Sequence, residues 1–183
     1  MGDDLGSSRR ARPALDPGRL AAQARERHQY TVPTAQAGEK VVATNPDGSV
    51  DIVGWEETYD VAKARTQGLT AAASSGCKTV QIYRYRSAPA GTLWKYLEQQ
   101  GWCYSGTKIT SRYDYRRWPC CVNIGWKWEG HIGLSRSGGS WHWDNWTQGS
   151  FSFGCAVGCL DWDYPWLDLD IYGDGGWSYS TGV

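Results

Sequence analysis

In the second half of this chain, large side chains recur at every second residue. Trp94, Tyr96, Trp102 and Tyr104 share one parity in TLWKYLEQQGWCYS, and Ile109, Tyr113 and Tyr115 share a face in KITSRYDYRRW. Ile124, Trp126 and Trp128 do the same in VNIGWKWEGHIG, and Phe151, Phe153 and Cys155 in WHWDNWTQGSFSFGC. In WLDLDIY, Leu167, Leu169 and Ile171 alternate with Trp166, Asp168, Asp170 and Tyr172. Period two is the side-chain period of a strand, whose successive residues point to opposite faces of a sheet. Turn chemistry separates the segments: Ser105-Gly106, SRSGGS, and Gly173-Asp174-Gly175-Gly176 before WSYSTG. Strands spaced about 8–15 residues apart with Gly-rich turns predict a sandwich or barrel. The expected fold is an all-β antiparallel sandwich, immunoglobulin-like or jelly-roll-like, over residues 78–183.

The preceding stretch reads differently. KVVAT and SVDIV flank NPDG, a hairpin signature, and TYDVAKARTQGLTAAA (residues 58–73) is a helix candidate that Gly68 weakens. Residues 39–77 are therefore a hairpin plus a short helix. Residues 1–38 are poor in core-sized side chains and read as a flexible tail. Within the tail, Asp16-Pro17 resembles a helix start before GRLAAQARERHQY. That places Arg19 and Leu20 as candidate contacts for a partner on which the tail orders. Residues 1–15 lack the apolar core of a signal peptide.

Charge excludes some functions and suggests others. Lys plus Arg equals Asp plus Glu at 19 each, so net charge favours neither nucleic acid nor an anionic membrane. No apolar run is long enough to span a bilayer. The distribution is uneven, however. Residues 108–136 hold six basic and two acidic groups, whereas residues 140–183 hold six Asp and no Lys or Arg. Separate basic and acidic stretches suit a protein partner with complementary patches.

Six cysteines, Cys77, Cys103, Cys120, Cys121, Cys155 and Cys159, have no CxxC pair and sit among strand-like segments. Disulfides in an oxidising, extracellular setting explain them better than zinc. Cys155 with Cys159 would close a tight loop, while a Cys120–Cys121 bridge would be strained, so each of those two is expected to reach elsewhere.

Site candidates follow from residue type. Trp141, Trp143 and Trp146 fall within six residues, beside Asn145. Indoles next to Asp and Asn suit a sugar face or a protein interface, and Trp143 or Trp146 is expected at the surface. Asp161, Asp163, Asp168, Asp170 and Asp174 form a carboxylate-rich stretch, although EF-hand spacing is absent; the first four are the calcium candidates. Glu129 and His131 are the candidates for acid–base chemistry if the chain is an enzyme. Neither GxSxG nor a P-loop occurs, no βαβ pattern supports a nucleotide-binding fold, and no cofactor is implied.

The segments WCYSGTKITS, GWKWEGHIG, WTQGSFSFGC and PWLDLDIYGDGGWSYSTG carry a resemblance. With Trp102-Cys103, Gly106, Gly130, Gly149, Cys155, Cys159, Pro165-Trp166 and Gly182, residues 92–183 resemble a group of small secreted β-sandwich proteins of filamentous actinobacteria. These are similar to the adaptor subunit of umbrella-shaped toxin particles. The resemblance implies a non-catalytic secreted adaptor that links protein partners, a lectin and a stalk protein, through a β-domain and an extended N-terminal segment. The residues themselves also admit a carbohydrate-binding module that uses the exposed Trp, or a small hydrolase or toxin effector built on Glu129 and His131.

Overall fold

The computed structural model describes residues 35–69, 74–156 and 158–183. The tail candidates Arg19 and Leu20 lie outside the described residues.

Among the described residues, ten strands and one short helix follow in order: β1 (Ala35–Thr44), β2 (Val50–Tyr59), α1 (Val61–Thr66), β3 (Ser75–Ala88), β4 (Gly91–Ser105), β5 (Lys108–Cys120), β6 (Trp126–Gly138), β7 (His142–Phe153), β8 (Asp161–Asp163), β9 (Trp166–Tyr172) and β10 (Trp177–Gly182). They form two antiparallel sheets, so the chain is the all-β sandwich its periodicity predicts. The first sheet runs β1-β2-β3-β4-β5; the second runs β10-β9-β7-β6, with β8 pairing the end of β7. Among the described residues both sheets are meanders, and no Greek-key crossover of the kind that immunoglobulin-like and jelly-roll sandwiches carry joins them.

The hairpin at residues 40–55 forms where its turn chemistry places it. Asn45 N–H donates to Ser49 O at 2.8 Å, and Gly48 takes the positive φ of 81° that the turn requires. Because β2 pairs with β3 over ten residues, the hairpin belongs to the first sheet and does not stand before the sandwich. The helix is shorter than the Ala-rich run suggests. Asp60 caps it by accepting from Lys63 N–H at 2.8 Å, and Gly68 at φ 67° ends it. Residues 70–73 lie outside the described residues.

The core is the aromatic face of β4 pressed on the second sheet. Trp94, Tyr96, Trp102 and Tyr104 are buried with Val80, Ile82, Phe151, Leu167, Leu169, Ile171 and Trp177. The indole N–H groups find acceptors across the sandwich, as buried polar groups must. Trp102 donates to Tyr172 O (3.2 Å), Trp94 to Asp163 (2.7 Å) and Trp177 to Glu57 (3.0 Å).

All six cysteines are paired. Cys77–Cys103 joins directly opposed positions of β3 and β4, beneath α1. Cys155–Cys159 closes the loop before β8, and Cys120 bonds its neighbour Cys121. The last pair corrects the expectation that each would reach elsewhere. The other four cysteines are consumed by their own pairs, and a positive φ of 58° at Cys121 turns the chain where β5 ends.

Candidate functional site

The two sheets do not close on each other at one side. Among the described residues, β5 pairs only with β4, and β6 only with β7, so two strand edges face each other across the open side of the sandwich. They touch at points rather than as a ladder. Ile109 N–H donates to Ser140 O at 2.5 Å, and Arg117 Nη1 donates to Gly133 O at 2.7 Å.

The bottom of this opening is polar, and the reason lies in β4. Its inward parity reads Trp94, Tyr96, Glu98, Gln100, Trp102, Tyr104, so two polar residues interrupt an otherwise aromatic face. All six are buried. Tyr96 Oη lies 2.7 Å from Thr147 Oγ1 and 3.0 Å from His131 Nδ1. Gln100 donates to Tyr113 O at 2.8 Å and accepts from Arg136 at 2.9 Å. Glu98 lies between them.

The lips are basic. Arg112 and Arg117 come from β5 and Arg136 from β6. Arg112 stacks over the Trp143 ring at 3.1 Å, and Arg136 over the Tyr115 ring at 3.8 Å. Arg136 also donates to Asn145 at 2.9 Å, and Arg117 to Thr147 at 3.2 Å. Of the six basic residues in 108–136, the stretch's two carboxylates neutralise two: Asp114 pairs with Arg116 and Glu129 with Lys127, each at 3.0 Å. Among the described residues, Lys108, Arg112, Arg117 and Arg136 pair with no carboxylate. The Arg112 guanidinium is held below its ordinary pKa by burial and by the neighbouring charge of Arg136. Two depressions mark the edge. One, of 360 Å³, is lined by Ile109, Arg112, Gly138 and Trp143; the other, of 670 Å³, by Gln99, Tyr115, Arg117 and Trp118. Ile132 (55% exposed) and Leu134 (49%) add apolar surface on the β6 side.

The sequence candidates are distributed differently from expectation. Trp141 is exposed, at 66%, in the turn before β7. Trp143 and Trp146 are only half-buried and lie on opposite faces, the first under Arg112 and the second against Gly133. The three indoles form no common platform. Asn145 is fully buried and bonded to Arg136, Trp143 and Leu169 O, which makes it a brace of the cleft rather than a ligand-reading amide.

Glu129 and His131 do not come together. Glu129 accepts from Ser152 Oγ (2.6 Å) on the outer face of β6, while His131 turns inward to Tyr96. The Ser152 hydrogen bond, then Lys127, lowers the pKa of Glu129, the wrong direction for a general acid. Burial, then Arg117, lowers that of His131.

The calcium candidates also separate. Asp163 is buried and holds Arg86 (2.8 Å) and Trp94; Asp170 holds His142 (2.6 Å). Asp168 lies on the outer face of the second sheet, and Asp161 is exposed at the start of β8. Among the described residues, no group of three or more His, Cys, Asp or Glu could hold a metal ion.

The sequence signal that marks the cleft is the pair Glu98 and Gln100 inside an aromatic parity, together with Arg112, Arg117 and Arg136. Comparison with known protein families, with curated proteins and with solved structures finds no match for this chain.

Proposed function

We propose that this protein is a non-catalytic, extracellular adaptor whose β5–β6 edge docks an acidic segment of a protein partner. The observation that carries this reading is the convergence of Arg112, Arg117 and Arg136 on one opening with no carboxylate partner among the described residues. Arginine beside aromatic and aliphatic surface is the composition of an interface core, and Tyr115, Trp118, Ile132 and Leu134 supply that surface. Simple strand addition to β5 is disfavoured. Asp114, at φ 53°, sits where the pairing register with β4 shifts, and Pro119 lacks an N–H. Recognition therefore falls to side chains, with guanidinium forks matched to carboxylates. Three disulfides are compatible with an extracellular setting. The partner class accords with the adaptor role that the resemblance implies, but the surface moves from residues 141–146 to the β5–β6 edge.

The test is titration of the full chain with fluorescent poly-L-glutamate at two salt concentrations. Binding that weakens with salt and is lost in the double variant Arg112→Glu, Arg117→Glu is the expected result. No binding, or equal binding by that variant, would overturn the reading. A sulfated dextran bound more tightly than polyglutamate would assign the edge to glycans instead.

A further inference from the structure

Beneath the three arginines lies a carboxyl group that the docking reading does not use. Glu98 is fully buried, and neither of its oxygens has a hydrogen-bond partner of good geometry. A buried carboxyl whose nearest donor, the Tyr115 hydroxyl, is poorly aligned is costly and calls for an explanation. Packing alone does not explain it, because the other inward positions of β4 on either side are aromatic or hydrogen-bonded.

Its surroundings are specific. Arg117 is its direct partner across the β4–β5 ladder. Tyr115 approaches from β5 and Arg136 from β6, while Asp144 of β7 and Asp168 of β9 act on it by charge from the outer face of the second sheet; Tyr96 and Gln100 flank it on β4, and His131 lies beyond Tyr96. Burial has the largest effect and pushes the carboxyl well above its ordinary range. Tyr115 and Arg136 pull it down, while Asp168 and Asp144 push it up. The neighbouring phenols are raised, Tyr96 to about 12, mainly by burial, and Tyr115 likewise by burial, and His131 is lowered. Glu98 is therefore the buried carboxyl of this cleft, directly opposite Arg117, and its charge decides how far the arginines are compensated. While it is neutral, the arginines above it present uncompensated positive charge. Once it ionises, it neutralises part of that charge from below.

We propose that Glu98 is a positioning residue that couples the β5–β6 edge to pH: it stays protonated while an acidic segment is bound, and its ionisation expels that segment. The inference rests on the docking reading. It names the regulation of that same site. The proton leaves to solvent as the segment dissociates, and by reciprocity a bound segment holds the proton more tightly.

The experiment measures the affinity of the full chain for poly-L-glutamate from about pH 6 to about pH 9, where the probe stays ionised. In parallel, the Glu98 carboxyl carbon is followed by NMR in isotopically labelled protein. The affinity is expected to fall about tenfold as Glu98 ionises. Glu98→Gln should keep the neutral-pH affinity and lose the alkaline fall, and saturating probe should raise the wild-type NMR midpoint. A Glu98 carboxyl already ionised at neutral pH would overturn the proposal in the wild-type protein alone, independently of whether the variant folds. Binding with the same pH profile in wild type and Glu98→Gln would overturn the coupling and leave the docking edge standing. Absence of probe binding at every pH would remove both.

Discussion

Arg84 and Arg86 on β3 and Arg112 and Arg117 on β5 are the same side chain in opposite circumstances. The β3 pair is closed. Arg84 meets Asp51 at 2.8 Å, and Arg86 bridges Asp51 at 2.9 Å and Asp163 at 2.8 Å; the arginine side chains are only 9% and 12% exposed. Those contacts tie β2 and β3 to β8 on the other sheet, and Arg84 reaches Thr181 on β10 at 3.2 Å. Among the described residues, the β5 pair has no strand beyond it. Where a neighbouring strand would place a carboxylate, β6 offers His131, Leu134 and a third arginine. Central strands draw partners from the ladder, as Asp51 sits directly opposite Arg86. An edge strand has that opportunity on one side only. Paired arginines here serve cohesion, and unpaired ones are available for recognition.

The largest expected effect tests the closed pair. Asp51→Ala strands the nearly buried Arg84 guanidinium, leaves Arg86 with Asp163 alone, and should cost about 3–5 kcal/mol in urea unfolding at neutral pH. A loss under about 1 kcal/mol would mean that the network is ornamental, as many surface ion pairs are. The same contrast has a pH signature. Burial pushes Asp51 up, but hydrogen bonds from Arg86 and Arg84, with their charges, bring it below its ordinary value. A depressed carboxylate stabilises the fold above its unfolded value, and that stability is lost as pH falls through the folded value. Wild type should therefore lose stability in acid faster than Asp51→Ala does.

Glu98→Gln is the intermediate case. The native carboxyl is raised, so its share of stability is complete below the unfolded value and is lost as pH rises through the folded one. The variant should gain on the order of 1 kcal/mol at neutral pH and nothing in acid, by thermal or urea unfolding. A stabilisation of equal size at both pH values would show that shape, not ionisation, decides this position. The smallest effect is expected at the edge. Arg112→Ala should change stability by no more than about 0.5 kcal/mol while weakening the binding of acidic probes. A large loss of stability would put Arg112 in the same structural class as Arg84.

Much of the strand layout is legible in the sequence. The alternation in WLDLDIY places Leu167, Leu169 and Ile171 inside, and the NPDG turn places the first hairpin. Ile124 is a counterexample. It shares a parity with Trp126 and Trp128, yet it lies before β6 begins and is 97% exposed. Parity assigns a face only where a neighbouring strand holds the backbone extended. Strand β8 is three residues long, too short for any period to show. The site was partly visible: Glu98 and Gln100 break the aromatic parity of β4, and the basic stretch 108–136 contains all three cleft arginines. The alternate spacing puts Asp114 beside Arg116 and Glu129 beside Lys127; what it could not show is that no distant carboxylate among the described residues pairs with Arg112, Arg117 or Arg136.

By itself, then, the sequence determined which segments are strands, which faces are apolar and where basic and acidic residues concentrate. These follow from local periodicity and composition, which need no knowledge of distant neighbours. Only the tertiary structure decided which edges meet. Cys120 bonds its neighbour, Trp143 lies under a guanidinium, Glu129 and His131 part to opposite faces, and Arg112, Arg117 and Arg136 gather above Glu98. Apart from the bond between adjacent cysteines, each outcome depends on long-range register between strands, and a register is set by the whole sheet rather than by any one segment.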